Sequence, residues 1–165
     1  MKTKPLLITI LVLVLIVLGY FIIPKLFKSS KPVGNFIAVL PFRNDSTNDS
    51  SAYFINGIME EILSDLLKIE DMKVLSRTSV EPYRNTTKSI AEIAKELGVV
   101  YILEGSGQIY GDNIQLRVQL IDAKNDKHLW SKSYEKEILK ADDIIAIQTQ
   151  IAQAITTEIK ALITP

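Results

Sequence analysis

The sequence contains no cysteine and a single histidine, His128. The first absence excludes disulfides, thiol nucleophiles, cysteine-bound metal and lipidation of a processed N-terminus. The second excludes a metal site built on two histidines and leaves His128 as the one imidazole available to a serine nucleophile. His128 sits beside Leu129 and Trp130 in a strand-like stretch without a Gly-x-Ser-x-Gly elbow. It reads as a structural or solvent-facing histidine, and no catalytic, metal or cofactor-binding residues are expected. Acidic residues are missing from the first 34 positions, where Lys2, Lys4, Lys25, Lys28 and Lys31 place all the charge. The rest of the chain is mildly acidic, with 14 lysines and arginines against 19 aspartates and glutamates. Phosphate backbones need a basic footprint, so nucleic acid is excluded as the partner of that part.

One long apolar run is present. From Leu6 to Ile23 the sequence "LLITILVLVLIVLGYFII" carries no charge over eighteen residues, enough for a helix to span roughly 27 Å of hydrocarbon. A cleaved signal peptide is the competing interpretation, but its apolar core usually covers about 7 to 15 residues and ends at a small-x-small site. Here the run ends in Tyr20, Phe21 and Pro24. The expectation is a retained single-pass anchor bounded by Leu6 and Ile23, with its lysine flanks suited to anionic lipid headgroups. Lysines on both sides leave orientation open on charge alone. A signal anchor with its short end in the cytoplasm, and hence a periplasmic soluble domain, is the expected arrangement.

The organisation expected is an anchor over residues 1–27, a linker over 28–35 ("KSSKPVGN" from Lys28) and one domain over 36–165. "FIAVLPF" at Phe36 reads as a strand buried on both faces. Ile55, Ile58, Met59, Ile62, Leu63, Leu66 and Leu67 form the apolar side of a helix over about 52–69. "MKVLS" is a second strand, and strand-helix-strand implies a parallel crossover. In "SIAEIAKELG", Ser89 and Glu92 fit a capping box and Gly98 a C-terminal cap. "VVYILEGSGQIY" is a strand, and "IQLRVQLID" alternates as a half-buried antiparallel strand does. "KHLWSKSYE" continues the meander after a turn at "AKND". Ile144, Ile147, Ile151, Ile155, Ile159 and Leu162 mark a last helix starting near Asp142. The fold class is α/β, an α+β arrangement with a mixed sheet in the order β-α-β-α-β-β-β-α.

Three features invite chemistry. Gly105, Gly107 and Gly111 have a spacing that suggests a phosphate loop, but such a loop must open a helix whose free amides hold the anion. A strand follows instead, so the glycines are expected to permit a bulge or close neighbour and to form a hairpin turn. Asp142 and Asp143 form a carboxylate pair, which capping and the dipole explain at a helix start. Arg77, in "SRTS" with Thr78 and Ser79, follows the end of a parallel strand, where open α/β sheets tend to bind ligands. With Tyr83 these residues form a candidate ligand or partner surface, although Arg77 could equally pair with Glu81 or cap a loop.

The phrases "IAVLPF", "FINGIMEEILSDLLKI", "VLSRTSV", "IAKELGVVYILEGS" and "LIDAKNDKHLWSKSYE" together resemble the TolB amino-terminal-domain-like family, also classed with the FlgO-like domain. The resemblance covers about residues 36–160. It implies a non-enzymatic module that stands between a transmembrane helix and tetratricopeptide repeats, in membrane-bound transcriptional regulators and class III nucleotide cyclase proteins. Relative to that pattern, no helix-turn-helix or cyclase domain is expected before the run and no repeats after the last helix. Gly107 also replaces the apolar residue usual after "EGS". The function expected is an extracytoplasmic interaction module that binds a protein partner in an envelope sensing, signalling or assembly complex. The alternatives are a small-ligand sensor and, last, a hydrolase.

Overall fold

A computed structural model describes residues 35–46, 50–138, 140 and 143–163. The expected anchor, from Leu6 to Ile23, lies outside them, and among the described residues no helix is long and apolar enough to cross a membrane. Asp142 also lies outside them.

The apolar run at Phe36 forms β1 (Asn35–Val39) in the interior of a six-stranded sheet. Ile37, Ala38, Val39 and Leu40 are all buried, as a strand covered on both faces requires. Leu40 N–H still donates to Leu103 O at 2.8 Å, but Pro41 has no donor to continue the ladder. After β2 (Arg43–Asn44) comes α1 (Ser50–Leu66), then β3 (Met72–Val74). A short α2 (Arg77–Val80) runs into a 3₁₀ turn (Glu81–Tyr83), followed by α3 (Ile90–Leu97). The meander β4 (Tyr101–Tyr110), β5 (Asn113–Asp122) and β6 (Lys127–Glu137) leads to α4 (Asp143–Ile163).

Strand order is β3-β1-β4-β5-β6, with β2 pairing β4 beyond the end of β1. β1 runs parallel to β3 and β4, while β4, β5 and β6 are antiparallel neighbours. The sheet is therefore mixed, as its element pattern implies. Two differences from the periodicity arise where segments are too short to show one: β2, and the α2 and 3₁₀ turns in place of a plain loop around Pro82.

Because side chains alternate across a strand, the sheet has two distinct faces. One carries Ile37, Val39, Leu103, Leu116, Val118 and Leu120 into a core with Ile55, Ile58, Met59, Ile62 and Leu66 of α1 and Ile147, Ile151, Ile155 and Ile159 of α4. Leu67 and Leu162, at the ends of their apolar stripes, are exposed instead. The other face carries a smaller core of Ala38, Leu40 and Ile102 under Val80, Ile93, Ala94 and Val99. α3 is fixed at both ends: Ser89 Oγ accepts from Glu92 N–H, Glu92 Oε2 accepts from Ser89 N–H at 2.8 Å, and Gly98 adopts φ +69°.

That smaller core reaches only the near part of β4 and the end of β5, where Ile121 pairs with Ile102 and is buried. Beyond it the same face shows Glu104 and Ser106 on β4, Arg117 and Gln119 on β5, and Ser131 and Ser133 on β6, none of them buried. Over this polar floor the described side chains leave an open groove.

Candidate functional site

A groove of about 690 Å³ opens over the polar floor, within the range of about 300–1,000 Å³ typical of small-molecule sites. Its walls come from Leu40, Pro41 and Arg43 on one side and from Tyr83, Arg84, Thr86 and Lys88 on the other. The 3₁₀ turn and the capped start of α3 set the position of that second wall. Pro82 lies at the start of the turn, where its fixed φ is tolerated and its missing donor costs nothing.

Most charged groups of the walls are held by partners. Arg84 Nε donates to Glu81 Oε1 at 2.6 Å and its Nη2 to Glu81 Oε2 at 3.1 Å, a bidentate pairing. The hydrogen bond from Arg84 holds the Glu81 carboxyl below its ordinary range, against a smaller opposing effect of burial. Lys88 Nζ lies 2.7 Å from both oxygens of Glu96, and the Tyr83 hydroxyl donates to Glu96 Oε2 at 2.8 Å. Partial burial and then that carboxylate push the Tyr83 phenol above its ordinary pKa. Arg43 is paired with Asp45 at 2.6 Å.

The floor differs. Gln119 bonds to Glu104, and Gln115 links Gln108 at 2.9 Å to Glu135 at 2.7 Å. Arg117 Nη2 donates to Gln115 Oε1 at 3.1 Å. Among the described residues no carboxylate lies within ion-pair distance of Arg117.

The structure separates the residues that the sequence grouped. Tyr83 lines the groove, whereas Arg77, Thr78 and Ser79 do not. Arg77 is paired with Glu60 of α1 and lies 3.8 Å from Glu81, and Ser79 Oγ is 3.0 Å from Ser76 Oγ. Thr78 is exposed on the same short helix. His128 is exposed on β6, and Asp143 opens α4 with its carboxylate accepting from Lys140 N–H at 3.0 Å. Among the described residues no cluster of histidine and acidic side chains suits a metal ion. Arg117 escaped the sequence reading because its only signal was its place on the polar side of an alternating strand.

A second surface lies on the helical layer. α1 and α4 pack side by side, and Gln148 Nε2 donates to Phe54 O at 3.0 Å. Tyr53, next to Phe54, and Ile145, one turn before Gln148, stand at that same end with exposures of 83% and 73%. Isolated exposed apolar residues are ordinary, but two large ones at one end of a helix pair form a candidate contact.

Comparison with known proteins adds the following. A family model described as "HilA/YgeH-like transcriptional regulator, second domain" matches residues 33–154. A protein of Rhizobium meliloti (strain 1021) named as an adenylate cyclase is 35% identical over 133 residues, covering 81% of this chain. The chain spans 22% of the length of that relative. The lipoprotein GNA1162 from Neisseria meningitidis has a TM-score of 0.56 at 18% identity, over 76% of this chain and 96% of its own. TolB from Acinetobacter baumannii has a TM-score of 0.53 at 17% identity, over 81% of this chain and 30% of its own. A PelC dodecamer from Paraburkholderia phytofirmans gives 0.52 at 16% identity, over 74% of this chain and 86% of its own. At such identities the likeness to solved structures concerns the fold alone.

Proposed function

We propose, from the premise that the chain belongs to the HilA/YgeH-like transcriptional regulator second-domain family, that it is a non-enzymatic interaction module of the cell envelope. In this reading the segment from Leu6 to Ile23 anchors it in the membrane by a single span. The domain over residues 36–165 then stands in the periplasm and binds another protein within a sensing, signalling or assembly complex. The observation that carries the reading is the exposed pair Tyr53 and Ile145 at one end of the α1–α4 layer, a surface that a protein partner would desolvate. Support for the setting comes from the uncharged eighteen-residue run and from the likeness in fold to the lipoprotein GNA1162. The excess of acidic over basic side chains after residue 34 supports a partner other than nucleic acid.

Two measurements test this. A phosphatase reporter fused after Pro165 is expected to be active, and a reporter active only in the cytoplasm would place the domain on the other side. A photo-reactive residue at position 53 of the full chain, in its native membrane, is expected to give one discrete protein adduct that Ile145→Arg abolishes. An adduct pattern identical to that from position 125, in the exposed turn, would sink the interaction surface.

A further inference from the structure

We propose that the groove beside β4, β5 and β6 binds the oxyanion of a small solute, a phosphate ester or carboxylate, with Arg117 as its anchoring cation. The register places Arg117 opposite Ser106 on one side and Ser133 on the other. Both neighbours are short, so no large side chain stands directly across from Arg117 on either adjoining strand, and its guanidinium reaches Gln115 Oε1 at 3.1 Å. β5 is hydrogen-bonded along both edges, which fixes the base of the arginine before any ligand arrives. Preorganisation of this kind reduces the ordering cost of binding.

A guanidinium offers five N–H donors, and the described contacts of Arg117 use one, to Gln115. An oxyanion is the group that satisfies such a planar fork bidentately. The wall adds Arg84, Lys88 and Arg43, whose carboxylate partners Glu81, Glu96 and Asp45 do not themselves line the groove. Those paired cations contribute donors and a weak attractive field, not full charges. Glu104 is the one carboxylate in the lining, and it is engaged by Gln119. Ser106 leans on Asp45, which leaves the Ser133 hydroxyl as the nearer neutral donor. A site whose floor cation has no carboxylate within ion-pair distance among the described residues, and feels Asp45 only at longer range, favours a ligand bearing a single oxyanionic group and binding modestly.

The test uses the full chain in a nonionic, phosphate-free detergent, followed by backbone amide shifts. Glycerol 3-phosphate and acetate serve as soluble probes, and phosphatidylglycerol vesicles test a lipid headgroup as the source. A soluble probe is expected to shift the amides of Arg117 and Ser133 saturably, with half-saturation on the order of millimolar. Arg117→Gln is expected to weaken this by about tenfold or more, while Arg77→Gln leaves it within about twofold. Binding of vesicles alone, lost in Arg117→Gln, retains the oxyanion site and assigns its ligand to the membrane. No saturable shift with any probe, or equal binding by the Arg117→Gln protein with its amide spectrum otherwise unchanged, would overturn the proposal.

Discussion

Gly105 and Gly107 show how a residue that mimics a nucleotide loop serves the sheet instead. A Cβ on Gly105 would sit 2.9 Å from Arg117 O and 3.0 Å from Phe42 Cε2. On Gly107 it would meet Ile55 Cγ1 at 3.0 Å and Leu116 Cδ1 at 3.1 Å. The two positions differ in what must give way, because a backbone oxygen in a paired strand cannot retreat as a side-chain carbon can. Gly105→Ala is therefore expected to cost about 1–3 kcal/mol, and Gly107→Ala less, in denaturant unfolding of the full chain. Equal midpoints for Gly105→Ala and the unaltered protein would contradict the close approach. The sequence supplied this distinction only in part. That a strand rather than a helix follows Gly111 was visible in the alternation of "IQLRVQLID", and Gly111 does sit in the turn with φ +56°. The identity of the crowding atoms was not visible, since Phe42 and Ile55 reach the glycines through the fold.

Among the elements, those with a full period or a defined cap were legible. α3 shows the capping box and left-handed Gly98 read from "SIAEIAKELG", and the β4–β5 hairpin pairs from Tyr101 with Asp122 through to Tyr110 with Asn113. β2 and α2 were not, because two strand residues and four helical ones end before any pattern can recur. Arg77 illustrates the consequence: its ligand-like position at the end of β3 is occupied by α2, and its main partner, Glu60, lies on α1. The adjoining 3₁₀ turn has a pH signature. Glu81 is held below its ordinary pKa chiefly by the hydrogen bond from Arg84, so its contribution is complete above the unfolded value of about 4.3 and is lost as pH falls through the lower folded value. Denaturation midpoints of Glu81→Gln and the unaltered protein are therefore expected to differ at pH 7 and converge in acid. A gap that persists unchanged to pH 2.5 would show that Glu81 acts through packing instead. The effect is small, since the side chain is 43% exposed and solvent screens it.

At the scale of the whole molecule, the asymmetry of the two sheet faces decides where function can reside. Residues far apart in sequence, from β1, α1, the meander and α4, share one continuous core on the first face, while on the second the sheet's buried residues are confined to β1, the adjoining part of β4 and the end of β5. The apolar stripes of α1 and α4 revealed the first face in advance; the uncovered floor of the second depended on how far α3 reaches, which no local pattern records. The covered face should then be intolerant of change and the open face tolerant. Ile155 is fully buried between α4 and the sheet, and α4 follows every strand in the chain. Ile155→Ala is expected to cost about 2–5 kcal/mol through lost burial and the cavity left behind. Arg117→Gln, on the exposed floor, is expected to stay within about 0.5 kcal/mol. Unfolding both variants of the full chain in the same micelles gives the comparison directly. A loss for Arg117→Gln comparable to that for Ile155→Ala would mean that the floor is part of the structural core, and that its arginine is retained for stability rather than left available to a ligand.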